Sequence, residues 1–310
     1  MDPSDAVVLA PAKINLVLEV GNRRPDGYHE LVTVFQAVAL HDRITVSDTD
    51  CHGALTVTGP QAGPMVREDF RRNLAWQAAA LLADAVGLPS PGVHIHLEKH
   101  IPVAAGLGGG SSDAAAVLRL LARCWAVDDE RLLWRLAAQL GSDVPFFLYG
   151  GAALGRGRGE LLTSLRLPRM WVVLANPGLP SSTASVFRRF AAGDRPAAAP
   201  LGSRCERIVQ ILCSEGPGAV DDRLWHNDLA EAALAEVPAT GLLLDVFRDL
   251  GALGTQISGS GATVFAVAAD AAHAEQMSAQ IAEYAAWTWW GPTIMSEGEL
   301  TSGHFATGCT

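Results

Sequence analysis

The residues best able to do chemistry lie in one run, Pro102-Val103-Ala104-Ala105-Gly106-Leu107-Gly108-Gly109-Gly110-Ser111-Ser112-Asp113, where four glycines and two hydroxyls precede an alanine-rich helical stretch. Glycine lets backbone N–H groups approach a polyanion, and a helix start adds unpaired donors and partial positive charge. Such an arch is a phosphate cradle, with Ser111 and Ser112 available to cap the helix and to contact phosphate or a metal ion. The chain has 21 arginines but only two lysines, Lys13 and Lys99. Because the two side chains differ in shape and hydration, these positions either require a compact ammonium or were spared by compositional drift. Lys13 stands between Ala12 and Ile14, where an ammonium must meet an anion or snorkel to water. Tyr28 and His29 stand side by side, a ring that can stack and an imidazole that can hydrogen-bond. Gly259-Ser260-Gly261 reads as a tight hairpin connection that can also expose a nest of N–H groups. Arg156 and Arg158, flanked by glycines, could reach a phosphate, although a solvated junction is the simpler reading.

The elements that hold these groups read as an alternation of short runs. Val7–Leu9, Ile14–Val20, Leu31–Leu40 and Ile44–Ser47 are strand-like, with Arg23-Arg24-Pro25-Asp26-Gly27 as a turn. Asn73 heads a helix carrying Leu74, Ala78, Leu81 and Leu82, and Val93, Ile95 and Leu97 alternate along a strand that ends at Lys99 and feeds the arch. Asp128 or Asp129 starts a helix whose Leu132, Leu133, Leu136 and Leu140 share a face until Gly141, and Ser142-Asp143-Val144-Pro145-Phe146-Phe147 follows as a loop entering an apolar run. Glycines at 150, 151, 155, 157 and 159 mark a domain junction that divides 1–158 from 159–310. Beyond it come a strand at Met170–Ala175 and helices around Thr183–Phe190, Cys205–Cys213, Leu224–Glu236 and Leu242–Leu250. Strands at Gly254–Ser258 and Ala262–Ala268 flank the Gly-Ser-Gly turn, followed by an alanine-rich helix and a Trp-rich strand near Trp287–Met295. Ala192–Gly202 reads as a loop and Ser296–Thr310 as a weakly ordered tail. Both parts are α+β.

A chain of 310 residues, 49% apolar and 18% charged, has material for two hydrophobic cores. Its formal charge of -10 opposes broad attraction to nucleic acid or to an anionic membrane, so a nucleotide handled here is a small molecule. Cys51, Cys124, Cys205, Cys213 and Cys309 form no Cys-x-x-Cys pair and fit reduced thiols better than a disulfide framework or a zinc site. Met1-Asp2-Pro3-Ser4-Asp5 lacks a signal-peptide pattern and no apolar run reaches membrane-spanning length, so the expectation is a soluble cytoplasmic protein.

Two common nucleotide loops do not fit: Gly-x-x-x-x-Gly-Lys-Ser/Thr is absent, and no acidic residue ends a strand about 20 residues after the arch. The arch instead resembles the second motif of the kinase superfamily that includes galactokinase, homoserine kinase, mevalonate kinase and phosphomevalonate kinase, with Ala104 where many relatives carry glycine. Ala10-Pro11-Ala12-Lys13-Ile14-Asn15-Leu16 resembles its first motif, and Ser258-Gly259-Ser260-Gly261-Ala262-Thr263-Val264-Phe265 its third. Arg24-Pro25-Asp26-Gly27-Tyr28-His29-Glu30-Leu31 and Gly141-Ser142-Asp143-Val144-Pro145-Phe146-Phe147 resemble the narrower family of 4-diphosphocytidyl-2-C-methyl-D-erythritol kinases. The resemblance runs from about residue 6 to residue 295 and is weakest in Asp48–Asp69 and Ala191–Asp222.

The resemblance implies two domains, one like ribosomal protein S5 domain 2 and one ferredoxin-like, with the active site in the cleft between them. It implies transfer of a phosphoryl group from ATP, with Mg²⁺, to the 2-hydroxyl of a cytidine diphosphate-linked polyol in the non-mevalonate route to isoprenoids. In that picture Asp143 is the base and Lys13 orients the hydroxyl. Pro102, Ala104, Gly106, Leu107, Gly108, Gly109, Gly110, Ser111 and Ser112 hold the ATP phosphates, Ser112 being the candidate metal contact, and Asn73 and Lys99 lie near the nucleotide. Tyr28, His29 and Phe187 hold the cytosine, while Asn15, Gly259, Ser260 and Gly261 line the rest of the substrate site. The expected assembly is a monomer or weak homodimer. A mevalonate-pathway or homoserine kinase would keep the arch without needing Tyr28, His29 and Phe187 for a base, and a non-catalytic nucleotide-binding module would not need Lys13 and Asp143.

Overall fold

The computed structural model describes residues 6–49, 53–192, 200–295 and 308–309. In chain order the strands and helices are β1 (Ala6–Arg23), β2 (His29–Asp48), β3 (Ala54–Thr58), α1 (Leu74–Ala85), β4 (Val93–Glu98), α2 (Gly109–Cys124), α3 (Glu130–Leu140), α4 (Val144–Tyr149), β5 (Ala152–Gly157) and β6 (Leu161–Leu165). There follow β7 (Trp171–Asn176), α5 (Thr183–Ala192), α6 (Ser203–Ser214), α7 (Ala230–Glu236), α8 (Ala239–Asp249), β8 (Gly254–Ile257), β9 (Val264–Ala268), α9 (Ala271–Ile281), β10 (Trp287–Pro292) and β11 (Gly308–Cys309). They form two compact units, each assembled from separate stretches of chain: 1–12, 40–103 and 108–149 in the first, and 13–39, 104–107 and 150–310 in the second. Each is α+β.

In the first unit the C-terminal half of β2 pairs antiparallel with β4, Ile44 opposite Leu97, and β3 runs parallel to β4, Leu55 opposite Ile95. Alternation along β4 puts Val93, Ile95 and Leu97 inside, as period-2 patterning requires. Asn73 caps α1, its side-chain oxygen accepting from the Ala75 N–H at 2.9 Å, and Asp129 caps α3 by accepting from Leu132. Leu132 and Leu136 are buried, and Gly141 ends the helix.

In the second unit the N-terminal half of β2 pairs antiparallel with β5, Phe35 opposite Ala153, and β6 extends that sheet. A separate antiparallel sheet has the order β11-β10-β7-β9-β8. Its core joins Val173 and Ala175 of β7, Val264 and Ala266 of β9, Val186 of α5, Leu243 and Phe247 of α8 and Met277 of α9, with Leu18 and Val20 of β1.

Four expectations change. The four N-terminal runs are two long strands, because β1 is continuous through Pro11 and β2 through Asp42. The stretch after Ser142 is not a loop: Val144–Tyr149 is helical, with Pro145 at an early position where a missing N–H costs little. Leu224–Glu236 is not one helix, since a 3-10 turn ends at Leu224 and α7 begins only at Ala230, the intervening Asn227 and Asp228 side chains being bonded to neighbouring strands. Within the expected tail, Gly308 and Cys309 pair with Trp290 and Trp289 of β10; residues 296–307 and 310, like 193–199 of the Ala192–Gly202 loop, lie outside the described residues. Among the described residues Cys124, Cys205 and Cys213 are free thiols, and burial, with the nearby Glu19 carboxylate, pushes the Cys205 thiol well above its usual range.

Phe247 is fully buried in the second core. Phe247→Ala is expected to cost about 3–5 kcal/mol, read as a lower denaturant midpoint by tryptophan fluorescence; an unchanged midpoint would contradict this description of the core.

Candidate active site

Three distant segments of the second unit meet through their main chains. The Lys13 N–H of β1 donates to the Leu107 carbonyl at 3.0 Å, and the Thr263 N–H donates to the Ala105 carbonyl at 3.2 Å. Ser258 Oγ donates to the Gly106 carbonyl at 2.9 Å. The approach is so close that a Cβ on Gly106, whose φ is +80°, would lie 2.2 Å from the Ser258 carbonyl oxygen. Ala104 holds φ +52°, a left-handed conformation costing an alanine about 1–2 kcal/mol. A glycine at this position would avoid that cost. Ser258 N–H donates to the Thr263 carbonyl and Gly261 N–H to the Ser258 carbonyl, so Gly259-Ser260-Gly261 is the tip of a hairpin, the plainer of its two readings.

Lys13 is 4% exposed and does not snorkel. Its ammonium donates to Asn15 Oδ1 at 2.6 Å, Asn15 Nδ2 donates to Thr33 Oγ1 at 2.8 Å, and Thr33 Oγ1 donates to the Val17 carbonyl at 2.7 Å. Residues two apart on a strand share a face, so the first two members of this relay are fixed by β1 itself. Gly259 abuts the relay: a Cβ there would stand 3.3 Å from Lys13 Nζ and 3.4 Å from Asn15 Oδ1. Ser260 is tied to the start of α5, its hydroxyl 2.9 Å from Thr183 Oγ1 and its carbonyl accepting from Ser181 Oγ at 2.8 Å.

The same helix presents Phe187, whose ring centroid lies 5.9 Å from that of His29; Phe190 meets His29 edge-on at 5.7 Å. His29 Nδ1 lies 3.1 Å from the Gly21 carbonyl. Tyr28 stands at the loop tip with half its surface exposed.

In the first unit, α2 begins at Gly109 behind Gly108, whose φ is +73° and which has no side chain to satisfy the first-turn N–H groups. Ser111 and Ser112 therefore do not cap the helix; both lie within its first turn. Ser112 Oγ and Asp113 Oδ1 are buried polar atoms without a protein partner among the described residues. A side chain on Gly109 would press within 3.0 Å of Ile101, which follows Lys99 into the arch at Pro102, while one on Gly110 would touch Leu74, the residue after Asn73. Lys99 is 2% exposed and already engaged, donating to Asp113 Oδ2 at 2.6 Å and to Asp42 Oδ2. Asp42 Oδ1 accepts from the backbone N–H groups of His100 and Ile101 at 2.6 and 2.9 Å. Burial pushes the Asp113 carboxyl up, against the pull of Lys99. Burial works to lower the Lys99 pKa, and Asp113 with Asp42 more than offsets it, holding the ammonium protonated. Asp143 is half-buried in the turn between α3 and α4, in this unit, whereas Lys13 belongs to the other.

Several positioning residues are not apparent from sequence. Asn227, 3% exposed, donates to the Ile257 and Gly259 carbonyls at 2.9 and 2.7 Å and accepts from the Leu229 N–H, so it clamps the hairpin that carries Gly259. Asp228 accepts from the Val20 N–H of β1 at 2.7 Å, and its neighbour His226, with Val20, holds its carboxyl below the usual range against the effect of burial. Asp42 and Thr33 interrupt otherwise apolar strands, which is the sequence signal for both.

Residues 73–151 match the model of the GHMP kinases N terminal domain and residues 215–286 that of the GHMP kinases C terminal. The chain is 46% identical over 262 residues to the 4-diphosphocytidyl-2-C-methyl-D-erythritol kinase of Mycolicibacterium gilvum, covering 83% of this chain and 80% of that one. It is 39% identical over 298 residues to the kinase of the same name from Heliobacterium modesticaldum, covering 92% and 91%. A crystal structure of a 4-(cytidine 5'-diphospho)-2C-methyl-D-erythritol kinase matches with a TM-score of 0.76 at 38% identity, over 93% of this chain and 99% of that one. A homoserine kinase from Cytophaga hutchinsonii, 18% identical, matches with a TM-score of 0.71 over 100% and 94%, a likeness of fold alone. Among the described residues no helix is long and apolar enough to cross a membrane.

Replacing Lys99 by methionine would leave Asp42 and Asp113 buried around a neutral side chain. K99M is expected to lose about 3–5 kcal/mol of stability in denaturant unfolding, and K99M/D113N to recover part of it. A K99M variant as stable as its parent would contradict the charged triad.

Proposed function

From the premise that this chain belongs to the 4-diphosphocytidyl-2-C-methyl-D-erythritol kinase family, within the GHMP kinases, we propose how its residues divide the work of the family's reaction. The chain is an ATP-dependent kinase whose acceptor is the 2-hydroxyl of 4-diphosphocytidyl-2-C-methyl-D-erythritol. The observation that carries the division of roles is the buried Lys13 ammonium set against the bare backbone of Gly259.

An alcohol is a poor nucleophile, so its proton needs an acceptor and its oxygen a nearby positive charge. Asp143 accepts the proton of the 2-hydroxyl as the bond from oxygen to the γ-phosphorus forms and the bridging bond to ADP breaks. Lys13, fixed by the Asn15–Thr33 relay, orients the hydroxyl and steadies the charge that develops on it. Asn15, Gly259, Ser260 and Gly261 line the polyol and diphosphate portion. The arch from Pro102 through Ser112, Ala104 and Leu107 included, holds the triphosphate on backbone N–H groups at the uncapped start of α2. Asn73 lies beside the nucleotide through the neighbouring start of α1, and Lys99 acts from beneath the arch, holding α2 by its ion pair with Asp113. In this reading ATP is held by groups before the junction near 158, and the substrate by groups on both sides of it, Asn15, Tyr28 and His29 before and Phe187, Gly259, Ser260 and Gly261 after.

The donor set also fits Mg²⁺, which neutralises phosphate charge when bound. Ser112 Oγ is a buried oxygen in the first turn of α2, without a partner among the described residues. Magnesium bound through one or two protein groups plus phosphate oxygens needs no larger protein cage.

Cytosine recognition follows from His29. A carbonyl only accepts, so the Nδ1 facing Gly21 O carries the proton, and in the neutral imidazole Nε2 is left as an acceptor. That acceptor matches the exocyclic amine of cytosine and opposes the carbonyl of uracil, while Tyr28 and Phe187 supply ring faces for the base. One chain carries every residue used here, in keeping with a monomer or weak homodimer.

ADP release with Mg-ATP is expected with 4-diphosphocytidyl-2-C-methyl-D-erythritol and not with mevalonate, phosphomevalonate or homoserine; turnover of one of the others instead would overturn the substrate. Asp143→Asn is expected to lower kcat by about 10²–10⁴-fold with KM for both substrates little changed, whereas Tyr28→Ala should chiefly raise KM for the cytidylated substrate. Equal, small effects in the two variants would sink these roles.

A further inference from the structure

Arg158 sits in the turn between β5 and β6, and one carboxylate grips it twice. Glu160 accepts from the Arg158 backbone N–H at 2.6 Å and lies 3.5 Å from its Nε. Held this way, the guanidinium lies over the Tyr28 ring, its Cζ 4.9 Å from the centroid. Tyr28 is 54% exposed. Its backbone is set by a loop whose own polar groups are occupied: Asp26 accepts from the Tyr28 N–H at 3.1 Å, and Arg24 bridges Asp26 and Glu30 at 3.3 and 2.6 Å. These bonds fix the backbone but leave the ring to rotate in solvent. A cation drawn to the negative face of an aromatic ring restrains it and leaves the opposite face for a flat heteroaromatic base.

We propose that Arg158 is a positioning residue for nucleobase recognition: it holds the Tyr28 ring from one face so that the other is presented ready-oriented to the cytosine of the substrate. The inference rests on the reading that Tyr28 stacks on that base. Arg158 contacts neither base nor reacting atoms and acts only through the ring. Pre-organising a stacking partner lowers the ordering cost of binding, so the effect belongs in substrate affinity and not in the chemical step.

The test is steady-state kinetics of R158A, R158K, Y28A and the double variant R158A/Y28A, with the cytidylated substrate and ATP each varied. R158A is expected to raise KM for the cytidylated substrate about two- to five-fold, with kcat and KM for ATP unchanged, and R158K to retain most of the affinity. In the Y28A background the R158A change should add nothing. An unchanged KM in R158A would overturn the proposal. So would a lowered one, which would mean that the guanidinium occupies the face the base needs. An equal effect with and without Tyr28 would overturn it too, by showing that Arg158 acts on the substrate directly. If Y28A leaves KM for the cytidylated substrate unaltered, the cytosine reading itself fails and the role of Arg158 falls with it.

Discussion

Main-chain contact among residues 13, 104–107 and 258–263 is the constraint on which the rest of the site depends. Backbone hydrogen bonds from Lys13 and Thr263, with one from the Ser258 hydroxyl, to carbonyls of the arch join three segments that lie far apart in the chain, and the close approach leaves no room for a side chain at Gly106. Backbone bonds of this kind are insensitive to side-chain identity except where a Cβ would intrude, which is why glycine is required at Gly106. Lys13 is thereby held at both ends: its N–H by the arch and its ammonium by Asn15.

Charge in this protein is placed by burial and partnership. The Asp42–Lys99–Asp113 triad brings together three nearly inaccessible ionisable groups, from within β2, directly after β4 and near the start of α2. Removing such groups from water is costly, and their attraction offsets that cost only with added hydrogen bonds, which Asp42 has from two backbone amides and Asp113 Oδ1 lacks among the described residues. The triad is therefore better understood as a fixed geometry under the arch than as a source of stability. In the second unit neutral side chains serve the same end, with Asn227 and Asn15 using both amide atoms to hold backbone or ammonium in place.

Local signals in the sequence were legible wherever one element decides its own form. Asn73 and Asp129 cap helices, β4 alternates, and the hairpin about Gly259 closes between two strands, each for reasons contained within a few residues. Errors arose where a distant partner overrides local pattern. Asp42 reads as a break between apolar runs, yet β2 continues through it because Lys99 takes its charge. Leu224–Glu236 reads as one helix, yet the Asn227 and Asp228 side chains within it are committed to β1, Ile257 and Gly259, and the helix starts later. The motifs identified the chemistry, and the structure added Thr33, Asp42 and Asn227, which hold the motif residues or their neighbours and carry no motif of their own.

Proton removal by Asp143 and orientation by Lys13 at one acceptor hydroxyl form the central claim. Its most direct test is a crystal structure of the protein with 4-diphosphocytidyl-2-C-methyl-D-erythritol and a non-hydrolysable ATP analogue. The expected result places an Asp143 carboxylate oxygen and Lys13 Nζ each about 2.6–3.2 Å from the 2-hydroxyl oxygen. A complex in which either group lies beyond hydrogen-bond reach of that oxygen, with no water between them, would contradict it.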